Sequence, residues 1–165
     1  MKINRFAVFV LCVATLPISH TAHAAPKPLK ATSKNFVSLR LLRVGGIAGI
    51  SEDYSIQNHT VSKAPDTRSG GTGPHRAKPR IVRLSGNQWR ALMKRLQKAD
   101  IPSVVGNYTN PGIADDITNT LTLTLRDNQN HARQFVAVSD YDEKAPAPLR
   151  EFVGYLASLI RSKGL

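Results

Sequence analysis

Alternation of apolar and polar residues sets in at Phe36. Val37, Leu39 and Leu41 alternate with Ser38 and Arg40, which gives a strand one apolar face. The run stops at Gly45-Gly46, where paired glycines admit positive φ and suit a tight turn. A second alternating run carries Ile50, Tyr54 and Ile56. Together these runs predict a β-hairpin joined by Gly45 to Gly49. Residues 63–79 hold glycine, proline, serine and charge with almost no large apolar side chain, the composition of a solvated loop insertion. Ile81 to Leu84 reads either as a short strand or as a lead-in to the helix that follows.

Helical periodicity takes over at Ser85. Ser85 with Gln88 three residues on makes a capping box. Trp89, Leu92, Met93 and Leu96 then fall on one helical face, and Ile101-Pro102 ends the segment. That spacing makes Trp89 a core residue rather than a stacking platform. Residues 103–116 read as a long loop. After it, Leu121, Leu123 and Leu125 alternate with Thr120, Thr122 and Thr124, the pattern of a half-buried antiparallel strand. A turn at Asp127 to Asn130 leads to a partner strand from His131 to Ser139. The final helix runs from Pro148 to Ser162, with Leu149, Phe152, Val153, Leu156, Leu159 and Ile160 as its apolar stripe and Lys163-Gly164 as its stop. The order strand-strand-helix-strand-strand-helix predicts an α+β, two-layer domain: an antiparallel sheet of about four strands covered on one face by two helices.

The first 24 residues have a different character. Lys2 and Arg5 precede an apolar stretch from Phe6 to Ile18, and the segment closes on Ala22-His23-Ala24. This is the three-part pattern of an export signal cut after Ala24, and the apolar run of about 13 residues is short of the ~20 needed to span a bilayer. The expected layout is a signal peptide at 1–24, a flexible tether at 25–35 and one domain at 36–165. The only cysteine, Cys12, lies in the signal, so the exported chain has no thiol for a disulfide or a metal. Lys2 and Arg5 leave with the signal and no acid does, so 21 basic residues face 11 acidic ones, a net +10. Such a balance favours an anionic partner or simply solubility.

Enzyme signatures are missing. There is no phosphate-binding loop, no nucleophile elbow and no His-Glu-x-x-His. His59, His75 and His131 lie in separate segments without ligand spacing. The expectation is therefore a binding protein with no cofactor, no metal of its own, no nucleic-acid partner and no stable membrane insertion, monomeric when free. Its unusual feature is apolar residues in loops. Ile47 and Ile50 sit in a glycine-rich turn, and Ile113 precedes Asp115-Asp116. Apolar loop tips are either tucked into the core or aimed at a partner.

Four stretches resemble the emfourin-like inhibitors of protealysin-type metalloproteases. They are Arg43-Val44-Gly45-Gly46-Ile47-Ala48-Gly49-Ile50, the helix end Lys98-Ala99-Asp100-Ile101, Asp116 with the alternating strand to Leu125, and Pro146-Ala147-Pro148-Leu149 before the last helix. The resemblance covers about residues 37–162. It departs in the expanded 57–80 link, and in carrying Ile47, the segment after Asp100 and Leu121 where that family is more aromatic. It implies an exported protein inhibitor of thermolysin-type zinc peptidases. One loop carboxylate would be directed at the catalytic zinc, Asp116 first and Asp115 second. Ile47 and Ile50, flanked by Gly45, Gly46 and Gly49, would be the apolar anchors beside Ile113. Glu52 and Asp53, just past the turn, are the alternative zinc-directed acids. A different reading makes the chain a periplasmic or surface basic module for an anionic polymer, a lipid headgroup or an envelope complex, through Lys63, Arg68, Arg76, Lys78 and Arg80.

Overall fold

The computed structural model describes residues 29–46, 49–65, 78–110, 116–140 and 144–165. The expected signal at 1–24 lies outside these residues. The chain joins the core early, with Ala31 buried and Leu29 packed beside it.

Seven strands form one sheet: β1 (Phe36–Gly45), β2 (Ile50–Gln57), β3 (Thr60–Lys63), β4 (Arg80–Arg83), β5 (Gly106–Tyr108), β6 (Ile117–Arg126) and β7 (Ala132–Ser139). Their spatial order is β4-β3-β2-β1-β6-β7-β5. Every neighbouring pair is antiparallel except β5 and β7, which run parallel. The helices are α1 (Gly86–Ala99) and α2 (Ala147–Ser162), with a single 3-10 turn at Ile101–Ser103.

This corrects the expected four-stranded antiparallel sheet and its element order. Four strands precede α1 and three precede α2, and the sheet is mixed. The three extra strands are short, and each hides for a physical reason. β3 follows a two-residue turn in which Asn58 and His59 both take positive φ, 47° and 61°. That geometry usually draws glycine at its second position, so Asn-His gives a weak signal. Within β3 only Val61 is apolar. β4 pairs with β3 in the register Val61↔Val82, which settles Ile81 to Leu84 in favour of a strand. β5 is three residues long, too short for alternation to show, and interrupts what reads as a loop at 103–116.

The longer elements follow their patterns. Leu39, Leu41, Tyr54, Ile56, Leu121, Leu123 and Leu125 are buried from the sheet, and Leu92, Leu96, Leu149, Phe152 and Leu156 meet them from the helices in one cluster. A register shift between Phe36 and Ser38 sets Phe36, not Val37, opposite Leu125 on the core side. At α1 the capping box forms: Gln88 N–H donates to the Ser85 hydroxyl at 3.3 Å, and Ser85 N–H donates to Gln88 Oε1 at 3.0 Å. Trp89 packs against the core, with the Phe36 ring edge-on at 5.3 Å and the His59 ring stacked at 4.4 Å. α1 and α2 run antiparallel, since Lys98 meets Glu151 while Arg95 meets Tyr155. Among the described residues no helix is long and apolar enough to cross a membrane.

The opposite sheet face carries Arg40, Asp53, Ser55, Ser62 and the β6 threonines, with the Ser55 and Ser62 hydroxyls 3.0 Å apart. The outermost strands, β4 and β5, are among the shortest in the sheet.

Lys63 and Arg80 are paired across β3 and β4, so the chain ends bounding residues 66–77 start from adjacent strands. A short turn is enough to close such a hairpin, and shortening a loop costs little entropy. Replacing 66–77 by four Gly/Ser residues is expected to move the melting temperature by no more than a few degrees. A drop of more than ~10 °C in thermal denaturation would show that the segment holds the fold together.

Candidate functional site

The core-facing side of the sheet changes character towards one end. Its rows across β2, β1, β6 and β7 read Ile56–Leu39–Leu123–Phe135, then Tyr54–Leu41–Leu121–Ala137. The next row is Glu52–Arg43–Asn119–Ser139, and the rim beyond it is Ile50–Gly45–Ile117. Strand periodicity has not broken; the positions in phase with the leucines become polar, then two isoleucines either side of a glycine.

The rim brings together residues that the sequence analysis drew from two separate loops. Gly45 pairs with Ile50 on one side and Ile117 on the other. Gly46 N–H donates to the Asp116 carbonyl at 3.3 Å, and Gly49 N–H donates to the Gly46 carbonyl at 2.9 Å. The Asp116 carboxylate accepts from Ile117 N–H at 2.7 Å. Gly45 has φ +117°, and a Cβ there would stand 2.5 Å from the Asp116 carbonyl oxygen. Only glycine fits this contact without displacement. Gly45, Gly46, Gly49, Ile50 and Asp116 therefore share one end of the sheet. Ile47, Ile113 and Asp115 lie outside the described residues.

Glu52 and Asp53 are placed differently. Both sit within β2 and on opposite faces of it. Glu52 accepts from Arg43 Nη1 at 2.9 Å and from Lys63 Nζ at 3.1 Å. Asp53 receives both forks of Arg40, at 2.8 and 2.6 Å. Burial pushes the Glu52 carboxyl up. Hydrogen bonds from Lys63 and Tyr54, with the charges of Lys63 and Arg43, outweigh it and hold the group below the usual carboxylate range. Burial likewise pulls Lys63 down, and its contacts to Glu52 and Tyr54 leave it raised overall. These acids are tied into the sheet rather than presented at its rim.

Behind the rim the polar row lines a cavity of about 200 Å³ bounded by Asn119, Ser139, Asp140 and, from α2, Val153 and Gly154. Asp140 is buried and its carboxylate accepts from Asn110 N–H, which ties down the start of the segment that returns to Asp116. Among the described residues no group of three or more His, Cys, Asp or Glu side chains is placed to hold a metal.

Glu52 and Arg43 were named from the sequence, but their union in one row with Asn119 and Ser139, and the place of Ile117, were not. Their signal was the phase of alternation: Arg43 continues Leu39 and Leu41, Glu52 precedes Tyr54, and Asn119 precedes Leu121. No family model, curated protein or solved structure matches this chain.

Two outcomes follow from this geometry. Gly45→Ala is expected to cost about 1–3 kcal/mol in denaturant unfolding, through positive φ and the Asp116 carbonyl together; unchanged stability would mean that the carbonyl yields freely. The second concerns pH. Because the Glu52 carboxyl is held below its unfolded value, its stabilisation is present above the unfolded pKa and disappears as pH falls through the folded one. Glu52→Gln is therefore expected to lower the melting temperature at pH 7, and the gap to wild type should narrow as the pH is lowered towards 3. A gap of equal size at both pH values would show that packing, not charge, matters at this position.

Proposed function

We propose that this chain is an exported protein inhibitor of thermolysin-type zinc metallopeptidases, with the Gly45–Ile50 turn and Asp116 as its contact edge. The observation that carries the reading is the junction of Asp116 with Gly45-Gly46, an acid beside a glycine-rich turn flanked by Ile50 and Ile117. The resemblance to emfourin-like inhibitors and the leader-like segment at 1–24, which lies outside the described residues, support the same reading.

The chemistry is direct. A catalytic zinc of this class keeps one position open for water and substrate. A carboxylate offered from the edge would take that position and expel the nucleophilic water. Apolar side chains beside it fill substrate subsites and act as central anchors. Asp116 is the acid of choice because it stands at the end of the sheet beside Gly45-Gly46, whereas Glu52 and Asp53 lie within β2. Asp115, Ile47 and Ile113, the other residues the resemblance names, lie outside the described residues.

The experiment is a titration of thermolysin-type and protealysin-type peptidases with the purified protein. Asp116→Ala is expected to weaken inhibition by ~2–4 kcal/mol, roughly 30- to 1000-fold, with its melting temperature nearly unchanged. Asp53→Ala should leave inhibition within a fewfold of wild type. A well-folded Asp116→Ala protein that inhibits like wild type removes Asp116 from the role. No inhibition by wild type at micromolar concentration across several such enzymes removes the function itself.

A further inference from the structure

The outward surface of the helical layer has a strongly biased charge. α1 carries Arg90, Lys94, Arg95 and Lys98 and no acid; α2 carries Arg150, Arg161 and one acid, Glu151. That acid is already taken, accepting from Lys98 Nζ at 2.9 Å. Arg90, Lys94 and Lys98 are exposed and recur every four residues, so they form a stripe with a rise of about 6 Å between charges. The stripe lies opposite the α1 face formed by Leu92, Met93, Leu96 and Ala99, which is buried in the core. Arg95 is fixed at the seam with α2, its guanidinium 4.4 Å from the Tyr155 ring centroid. Beyond the seam, Gly154 and Ser158 are exposed small residues, and a Cβ at Gly154 would touch nothing. The result is a low shelf with cations along α1, whose far side, at Arg150 and Gly154, borders the cavity behind the rim.

The loop cations offered by the sequence are a poorer platform. Lys63 is mostly covered in its pair with Glu52, whereas Lys98 keeps 72% of its side chain exposed in its pair with Glu151, and Arg68 and Arg76 lie outside the described residues.

We infer that the helical shelf binds a linear phosphate polymer, held along the Arg90–Lys94–Lys98 stripe. Charge complementarity selects the partner. Arginine forks take phosphate oxygens in pairs and lysine adds point charges, with no recognition of the polymer's neutral parts required. A lipid surface is disfavoured because the large exposed apolar residues described are Val44, Ile81, Val105 and Val136, none on a helix. Single-stranded nucleic acid is disfavoured because base stacking needs an open ring. The faces nearest this shelf are covered, Trp89 by Phe36 and His59 and Tyr155 by Arg95.

The test is calorimetric titration of the full chain with long-chain inorganic polyphosphate at two salt concentrations. Binding should weaken steeply with salt as counterions are released. The variant Arg90→Gln/Lys94→Gln/Lys98→Gln should bind at least tenfold more weakly and with a shallower salt slope, while keeping its helical circular dichroism. Lys30→Gln/Lys34→Gln/Lys78→Gln removes the same charge elsewhere on the surface and should stay within threefold of wild type. If the first variant does not fold, Lys94→Glu alone gives the same contrast, with a loss of at least threefold expected. Equal losses in both triple variants, or an unchanged Lys94→Glu, would overturn the assignment. So would tighter binding to phosphatidylglycerol vesicles, heparin or single-stranded oligonucleotide than to polyphosphate. The inference does not rest on protease inhibition: Asp116→Ala should bind polyphosphate normally.

Discussion

The pairing of β1 with β6 is the interaction on which the rest depends. Two ten-residue strands from distant parts of the chain lie side by side, with Leu39 against Leu123 and Leu41 against Leu121. These leucines form the floor on which both helices sit. The same ladder runs on past the leucines to Gly45↔Ile117, and so carries the glycine turn to Asp116. Core, polar row and candidate edge are successive rows of one strand pair. A shift of one residue would expose the leucines and separate the turn from the acid at once, so the hydrophobic floor also enforces the register of the rim.

That coupling explains where polar groups were tolerated. Arg43, Glu52 and Asn119 point to the helix side, where an unpaired charge would be costly. They are accommodated because they pair with one another and with Lys63: Glu52 takes both cations, and Arg43 Nε reaches Asn119 Oδ1 at 3.4 Å. No buried side-chain polar atom among the described residues lacks a partner. The sheet's other face needs no such matching. Threonine, serine and the Arg40–Asp53 pair meet water there, and each contact contributes little by itself.

Much of this was legible in the sequence where elements are long. The leucine–threonine alternation of β6, the first hairpin, the capping box at Ser85 and the apolar stripe of α2 announce themselves, because each repeats a physical period several times. The short strands do not. Thr60–Lys63 has one apolar residue and a turn without glycine, and Gly106–Tyr108 is recognisable only from its parallel partner Ala137–Ser139. Tertiary pairing, not local pattern, makes those residues strands. The candidate edge was half legible. Composition pointed to both loops, but only the ladder shows why they meet. The ties on Glu52 and Asp53 depend on strand register, which residue types alone do not encode.

The sheet also finishes in its weakest strands, and this bears on how the protein behaves in a crowd of its own copies. An open β edge offers unpaired N–H and carbonyl groups to any passing strand. Here one edge is four residues long and begins and ends in arginine, and the other is three residues long. Two molecules meeting at β4 would bring like charges together over a stretch too short to repay the encounter. Such termini act as fenders: a seven-stranded sheet stays a poor template for fibre growth, although among the described residues no helix caps either edge.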